Sequence, residues 1–189
     1  MPLIWDEDLY NRAYSQEPTR RSELRHRNVW IDTLLEVLPG FNLDKSVLLV
    51  GCGFGYTIEV LLDRGVSVVG VDSSPYIQAE KNAKSNVPDK IYGSLDEIRG
   101  KYDWVITELV IESYNPATEL PEFNQFLSDI EKPLKGNGHV AHIFAGLLGD
   151  GSAHDWSLGM TWLPLVEWVP HAPHHYWLDY HGWKIGGGI

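Results

Sequence analysis

The chain has 189 residues, 43% of them hydrophobic, and a formal net charge of −11, which suits one globular unit with a sizeable core and excludes a disordered chain. The acidic balance makes nucleic acid an unlikely partner, because a nonspecific grip on DNA or RNA needs a basic face. One cysteine, Cys52, excludes an internal disulfide and favours a reducing compartment, the cytoplasm.

In chain order, residues 1–18 place Trp5, Tyr10 and Tyr14 among acids and amides and read as an irregular arm or short helix. The opening MPLIWDEDLY is acidic and only briefly apolar, unlike a signal peptide. No apolar run approaches membrane-spanning length. From Thr19 a helix is predicted, with Val29, Leu34, Leu35, Val37 and Leu38 on its apolar side and Pro39-Gly40 as its stop. SVLLV (46–50) reads as a buried strand, Gly51 to Gly55 as a turn, and TIEVLLDRG as a short helix ended by Gly65. VSVVGVD (66–72) is a second strand, and SPYIQAEKNAKSN a second helix with Pro75 in its first turn. KIYGSL is a short third strand, residues 103–111 contain a fourth, ELPEFNQFLSDIEKPL is a helix and GHVAHIFAG (138–146) a fifth strand. After Leu147 the chain is rich in Trp, His, Pro and Gly and fits no regular pattern until HGWKI, which reads as a last strand.

Alternating strands and helices predict an α/β fold: a three-layer, doubly wound, mostly parallel sheet. The expectation is a single domain over residues 1–189, with 1–28 as arm and helix start and 147–189 as an irregular C-terminal part. Such sheets bind ligands at the carboxyl ends of their strands, which directs attention to the loop after the first.

That loop has Gly51, Gly53 and Gly55 in a G-x-G-x-G pattern, which lets the backbone turn sharply and approach a ligand closely. The dinucleotide fingerprint would need glycine at Tyr56, and the Lys and Ser/Thr of a P-loop are missing, so a nicotinamide-dependent oxidoreductase is disfavoured. Asp72 ends the second strand about twenty residues on, where a carboxylate can accept both hydroxyls of a ribose. A ligand with a ribose but no pyrophosphate fits this pair; a tight turn with no ligand is the bland alternative.

VLLVGCGFG followed by VVGVDSS resembles the first two motifs of the class I S-adenosylmethionine-dependent methyltransferases, and the resemblance covers roughly residues 29 to 146. It implies a Rossmann-like methyltransferase fold with an antiparallel last strand, and S-adenosylmethionine as cofactor. By position, Gly51, Cys52, Gly53 and Gly55 would pass under the methionine and ribose parts, and Asp72 would hold the ribose. Ser73 and Ser74 would flank the adenine, and Asp96, with Ser94 and Leu95 beside it, would approach the adenine amino group. The family usually has an acid two residues before the first glycine, where this chain has Leu49. That departure leaves open a binding protein or inactive partner subunit with the same fold.

Methyl transfer from a sulfonium is an in-line displacement, so the protein's task is alignment and exclusion of water. A hydroxyl or protonated amine acceptor would also need a base. Glu108, Glu112 and His142 are the candidates, against ordinary roles as loop acids and a hydrogen-bonded core histidine. Trp5 and Tyr14 could fold over the ligand or simply pack the arm.

The amino-methylating nucleic-acid enzymes of the family share an Asn/Asp/Ser-Pro-Pro-aromatic motif after strand four. This chain has Thr107-Glu108-Leu109 there, and Asn115-Pro116-Ala117 is only a partial echo. A cytosine C5 enzyme needs a cysteine in that region, and Cys52 lies in the glycine loop instead. Arg20, Arg21, Arg25, His26 and Arg27 read as a solvated helix face that could alternatively meet an anionic substrate. His154, His171, His174, His175 and His181 match no strict zinc pattern, and no metal is expected. The short connection between the last two strands points to a small-molecule acceptor, or one completed by a second subunit of a homodimer.

Overall fold

Val47 to Val50 are β-branched or Leu throughout, a composition that suits a strand covered on both faces. All four are buried, and the strand they form lies inside a seven-stranded sheet of order β3-β2-β1-β4-β5-β6-β7. A computed structural model of the chain describes residues 20–110, 116–144, 175–179 and 184–187. Its elements in sequence are α1 (Arg20–Val37), β1 (Val47–Val50), α2 (Tyr56–Asp63), β2 (Val68–Val71), α3 (Pro75–Lys84), β3 (Ile91–Tyr92), β4 (Tyr102–Glu108), α4 (Pro116–Glu131), β5 (Leu134–Phe144), β6 (His175–Asp179) and β7 (Lys184–Gly187). Strands β1 to β6 pair in parallel, and β7 runs antiparallel to β6.

Alternation along the strands divides the core in two. Val47, Leu49, Trp104 and Ile106 turn one way and meet Trp30, Ile31 and Leu34 of α1 and Ile58 and Leu61 of α2. Leu48, Val50, Val105 and Val140 turn the other way and meet Phe123, Leu127 and Ile130 of α4. This is the predicted three-layer, doubly wound arrangement. Trp104 is 1% exposed and meets Phe41 edge-on, with ring centroids 5.5 Å apart. At the strands' entry edge, Asp103 accepts hydrogen bonds from the Ser46 N–H and the Lys135 ammonium, both 2.8 Å, which ties the starts of β1, β4 and β5 together.

The differences from the sequence reading have local causes. Val29 is 63% exposed, so the buried stripe of α1 runs instead through Arg27, Trp30, Ile31 and Leu34. Arg27 is therefore not part of a solvated face, although Arg21, Arg25 and His26 are exposed. The third strand shrinks to Ile91–Tyr92, because Leu95–Glu97 close a 3₁₀ turn. Helix α4 starts at Pro116 and includes Pro121, and β5 begins at Leu134 with an irregular register against Tyr102 and Trp104. Strand β6 lies in the stretch where no pattern was legible.

Candidate functional site

All three loop glycines adopt left-handed backbone, with φ of 80° at Gly51, 53° at Gly53 and 80° at Gly55, a region costly for other residues. They differ in surroundings. A Cβ on Gly51 would lie 2.6 Å from the Glu108 carbonyl oxygen, and one on Gly55 would press Val87 and Ile91 at 3.0 and 3.1 Å. At Gly53 the same atom would meet nothing within 4 Å. The loop is thus wedged into the protein at its two ends and faces open space at its middle.

Asp72 follows β2 and closes on this loop. Its Oδ2 accepts the Gly53 N–H at 2.8 Å and its Oδ1 accepts the Ser74 N–H at 2.9 Å. A carboxylate offers about four lone-pair sites, so these bonds fix its orientation and leave acceptor capacity for hydroxyls. Burial pushes the Asp72 carboxyl up, the Ser74 and Gly53 N–H bonds oppose this, and the charge of Glu108 adds to it. Ser74 caps α3 with its own side chain, accepting the Ile77 N–H at 3.3 Å, while Ser73 is exposed.

Cys52 is buried with its Sγ over Gly70, where an added Cβ would meet it at 2.6 Å. Its thiol is pushed well up, first by burial and then by the charges of Asp72 and Glu108, which disfavours the thiolate.

Glu108 ends β4, level with Gly51, and is 6% exposed. One carboxylate oxygen pairs with the guanidinium of Arg27, and the other accepts the Thr57 hydroxyl at 3.0 Å. Arg27 also reaches Glu23 at 3.3 Å. The next residue, Leu109, has a φ of 53°, an uncommon conformation for a bulky residue and one that turns the chain sharply at the strand end.

His142 is wholly buried in β5. Its Nδ1 lies 3.0 Å from the Thr107 hydroxyl and its Nε2 2.9 Å from Nδ1 of His175, whose Nε2 is 2.8 Å from Glu131. The Glu131 carboxylate can only accept, so His175 donates to it, and the chain of contacts continues through His142 to Thr107. Burial, and then His175, hold the His142 imidazole well below its usual range, so it is neutral. His175 is therefore linked to Glu131 and His142, and among the described residues no cluster of His, Cys, Asp and Glu could hold a metal ion.

The structure brings Gly51, Cys52, Gly53, Gly55, Asp72 and Glu108 together at the carboxyl ends of β1, β2 and β4. His142 sits one strand further along, facing the α4 layer. Asp96 is exposed and lines a cavity of about 640 Å³ with Leu95, Lys101, Gln125, Asp129 and Lys132, none of them from the glycine loop. Glu112, Trp5, Tyr14, His154, His171, His174 and His181 lie outside the described residues. Sequence reasoning missed Thr57 and the role of Arg27. The one available signal was an arginine three positions before Trp30 on the helix stripe that is buried.

A family model described as a methyltransferase domain matches residues 21–176. The chain belongs to this methyltransferase-domain family. An uncharacterized methyltransferase of Synechocystis sp. (strain ATCC 27184 / PCC 6803 / Kazusa) is 31% identical over 112 residues, 57% of this chain and 48% of that protein. The chain thus spans about half the length of this curated relative. Among solved structures, Streptomyces venezuelae DesVI is similar with a TM-score of 0.47 and 20% identity, over 70% of this chain and 54% of that one. Magnesium protoporphyrin IX methyltransferase from Synechocystis PCC 6803, with bound S-adenosylmethionine, has a TM-score of 0.47 and 24% identity, over 68% of this chain and 65% of that one. Among the described residues, no helix is long and apolar enough to cross a membrane.

Proposed function

We propose that the chain is an S-adenosylmethionine-dependent methyltransferase acting on a small-molecule acceptor. The observation that carries this reading is the Asp72 carboxylate, tied by the Gly53 N–H to a glycine loop whose middle faces open space. That pairing suits a ribose and leaves no glycine at residue 56 for a pyrophosphate. The cofactor, when bound, supplies an activated methyl group on a sulfonium. Asp72 would hold the ribose, and Gly51, Cys52, Gly53 and Gly55 would carry the ligand along their backbone.

Ser73 is exposed beside the loop and free of the capping task that Ser74 performs, so it is the serine we assign to the adenine edge. Alignment and exclusion of water are the protein's contribution to the displacement. An acceptor that must lose a proton needs a base, and Glu112 is the candidate we favour. Glu108 is buried in an ion pair with Arg27, and both ring nitrogens of the buried His142 hold partners.

Calorimetric titration with S-adenosylmethionine and with its demethylated product tests the cofactor, and release of that product against a panel of small acceptors tests the activity. Binding without turnover would favour the second reading, a non-catalytic binding protein or inactive partner subunit. The observation behind that reading is Leu49, 0% exposed in the core where the resemblance places an acid.

A further inference from the structure

We propose that Glu108 is a positioning residue that clamps both ends of the glycine loop, with Arg27 as the buried counter-charge that makes the clamp stable. The inference rests on the loop being the cofactor site proposed above.

At the first end, the Glu108 backbone abuts Gly51 so closely that a Cβ there would lie 2.6 Å from its carbonyl oxygen. At the second end, the Glu108 carboxylate receives the hydroxyl of Thr57, the second residue of the helix that Gly55 opens. One residue of β4 thus touches the chain on both sides of the turn. The contact is dry: Glu108 is 6% exposed, Thr57 2% and Arg27 7%.

A carboxylate in such surroundings is costly without a partner. Arg27 supplies one from α1, and Glu23 backs the guanidinium at 3.3 Å. Strand β1 offers no charge of its own on this face. Leu49 pairs with Ile106 there, and Glu108 lies two residues further along β4 on the same face. The carboxylate that steadies the loop therefore comes from the neighbouring strand, and its counter-charge from the N-terminal helix. Loop geometry and the seating of α1 become parts of one network.

Removing the hydroxyl tests the clamp with little threat to folding. In Thr57→Val, hydrogen exchange of the peptide spanning Gly51 to Gly55 should accelerate and affinity for S-adenosylmethionine should fall, each by about fivefold, the worth of one hydrogen bond. Exchange in β4 and α1 should stay at the native level. Thr57→Ser restores the hydroxyl and should restore both readouts. A Thr57→Val protein with native loop exchange and native affinity overturns the clamp, as does a Thr57→Ser protein no better than the valine variant. Failure of the unmutated protein to bind S-adenosylmethionine would instead sink the functional reading, and loop exchange would still decide the clamp.

Discussion

The carboxylate of Asp72 and the backbone N–H of Gly53, nineteen residues apart in sequence, meet at 2.8 Å. This bond joins the end of β2 to the middle of the loop that leaves β1. It places a charge and a turn on the same patch of the sheet's carboxyl edge.

Asp72→Ala removes the acceptor for two N–H groups as well as the proposed ribose contact. Affinity for S-adenosylmethionine should fall by about 2 kcal/mol, some thirtyfold, with a smaller loss of stability. Calorimetry and urea unfolding on the same preparation separate the two effects. Unchanged affinity would remove Asp72 from the site.

The glycines should respond unequally. Gly51→Ala forces both a left-handed alanine and a collision with Glu108, and should cost more than about 2 kcal/mol of stability. Gly53→Ala meets no neighbour, so it should cost about 1 kcal/mol of backbone strain while narrowing the open side of the loop. Thermal unfolding gives the order, and Gly53→Ala as the more destabilising change would contradict it.

Gly70 carries a third prediction. An alanine there would bring a methyl group to 2.6 Å from both Cys52 Sγ and Ile58 Cδ1. The cost should be about 1–3 kcal/mol, as for other overpacked cores. Accelerated hydrogen exchange at Cys52 and Gly53 would show that the push reaches the loop; exchange confined to β2 would show that it does not.

The histidine chain predicts a pH dependence. Folded His142 refuses a proton that an unfolded histidine accepts near pH 6.5, so the unfolded chain binds more protons as pH falls. Its contribution is present above about pH 6.5 and is lost as pH drops below it. Urea unfolding at about pH 7.5 and about pH 5.5 should show a loss of about 1 kcal/mol that shrinks by at least half in His142→Gln. Equal losses in both proteins would assign the dependence to other groups.

What could be read from the sequence was what is local or periodic. Gly51, Gly53, Gly55 and Asp72 are adjacent to the strands that announce them, and the alternation of apolar runs with helices indicates the layered sheet. The partners of Glu108 could not be read the same way. Thr57 is 51 residues away in sequence, and only the fold brings the two together. Arg27 looked like a member of a basic, solvated cluster because its helix stripe was judged by Val29 instead of Trp30. Strand β6 escaped notice because His, Tyr and Trp follow one another there without alternation, and its histidine earns its place through Glu131 and His142.

The strand order has a consequence for how this molecule can vary. β1 lies between β2 and β4, so its loop is braced from the left by Asp72 and from the right by Glu108. A change in β1 is felt by two neighbours, whereas among the described strands β7 has only β6 beside it. Drift in sequence should therefore concentrate at β6 and β7, away from the glycine loop and Asp72.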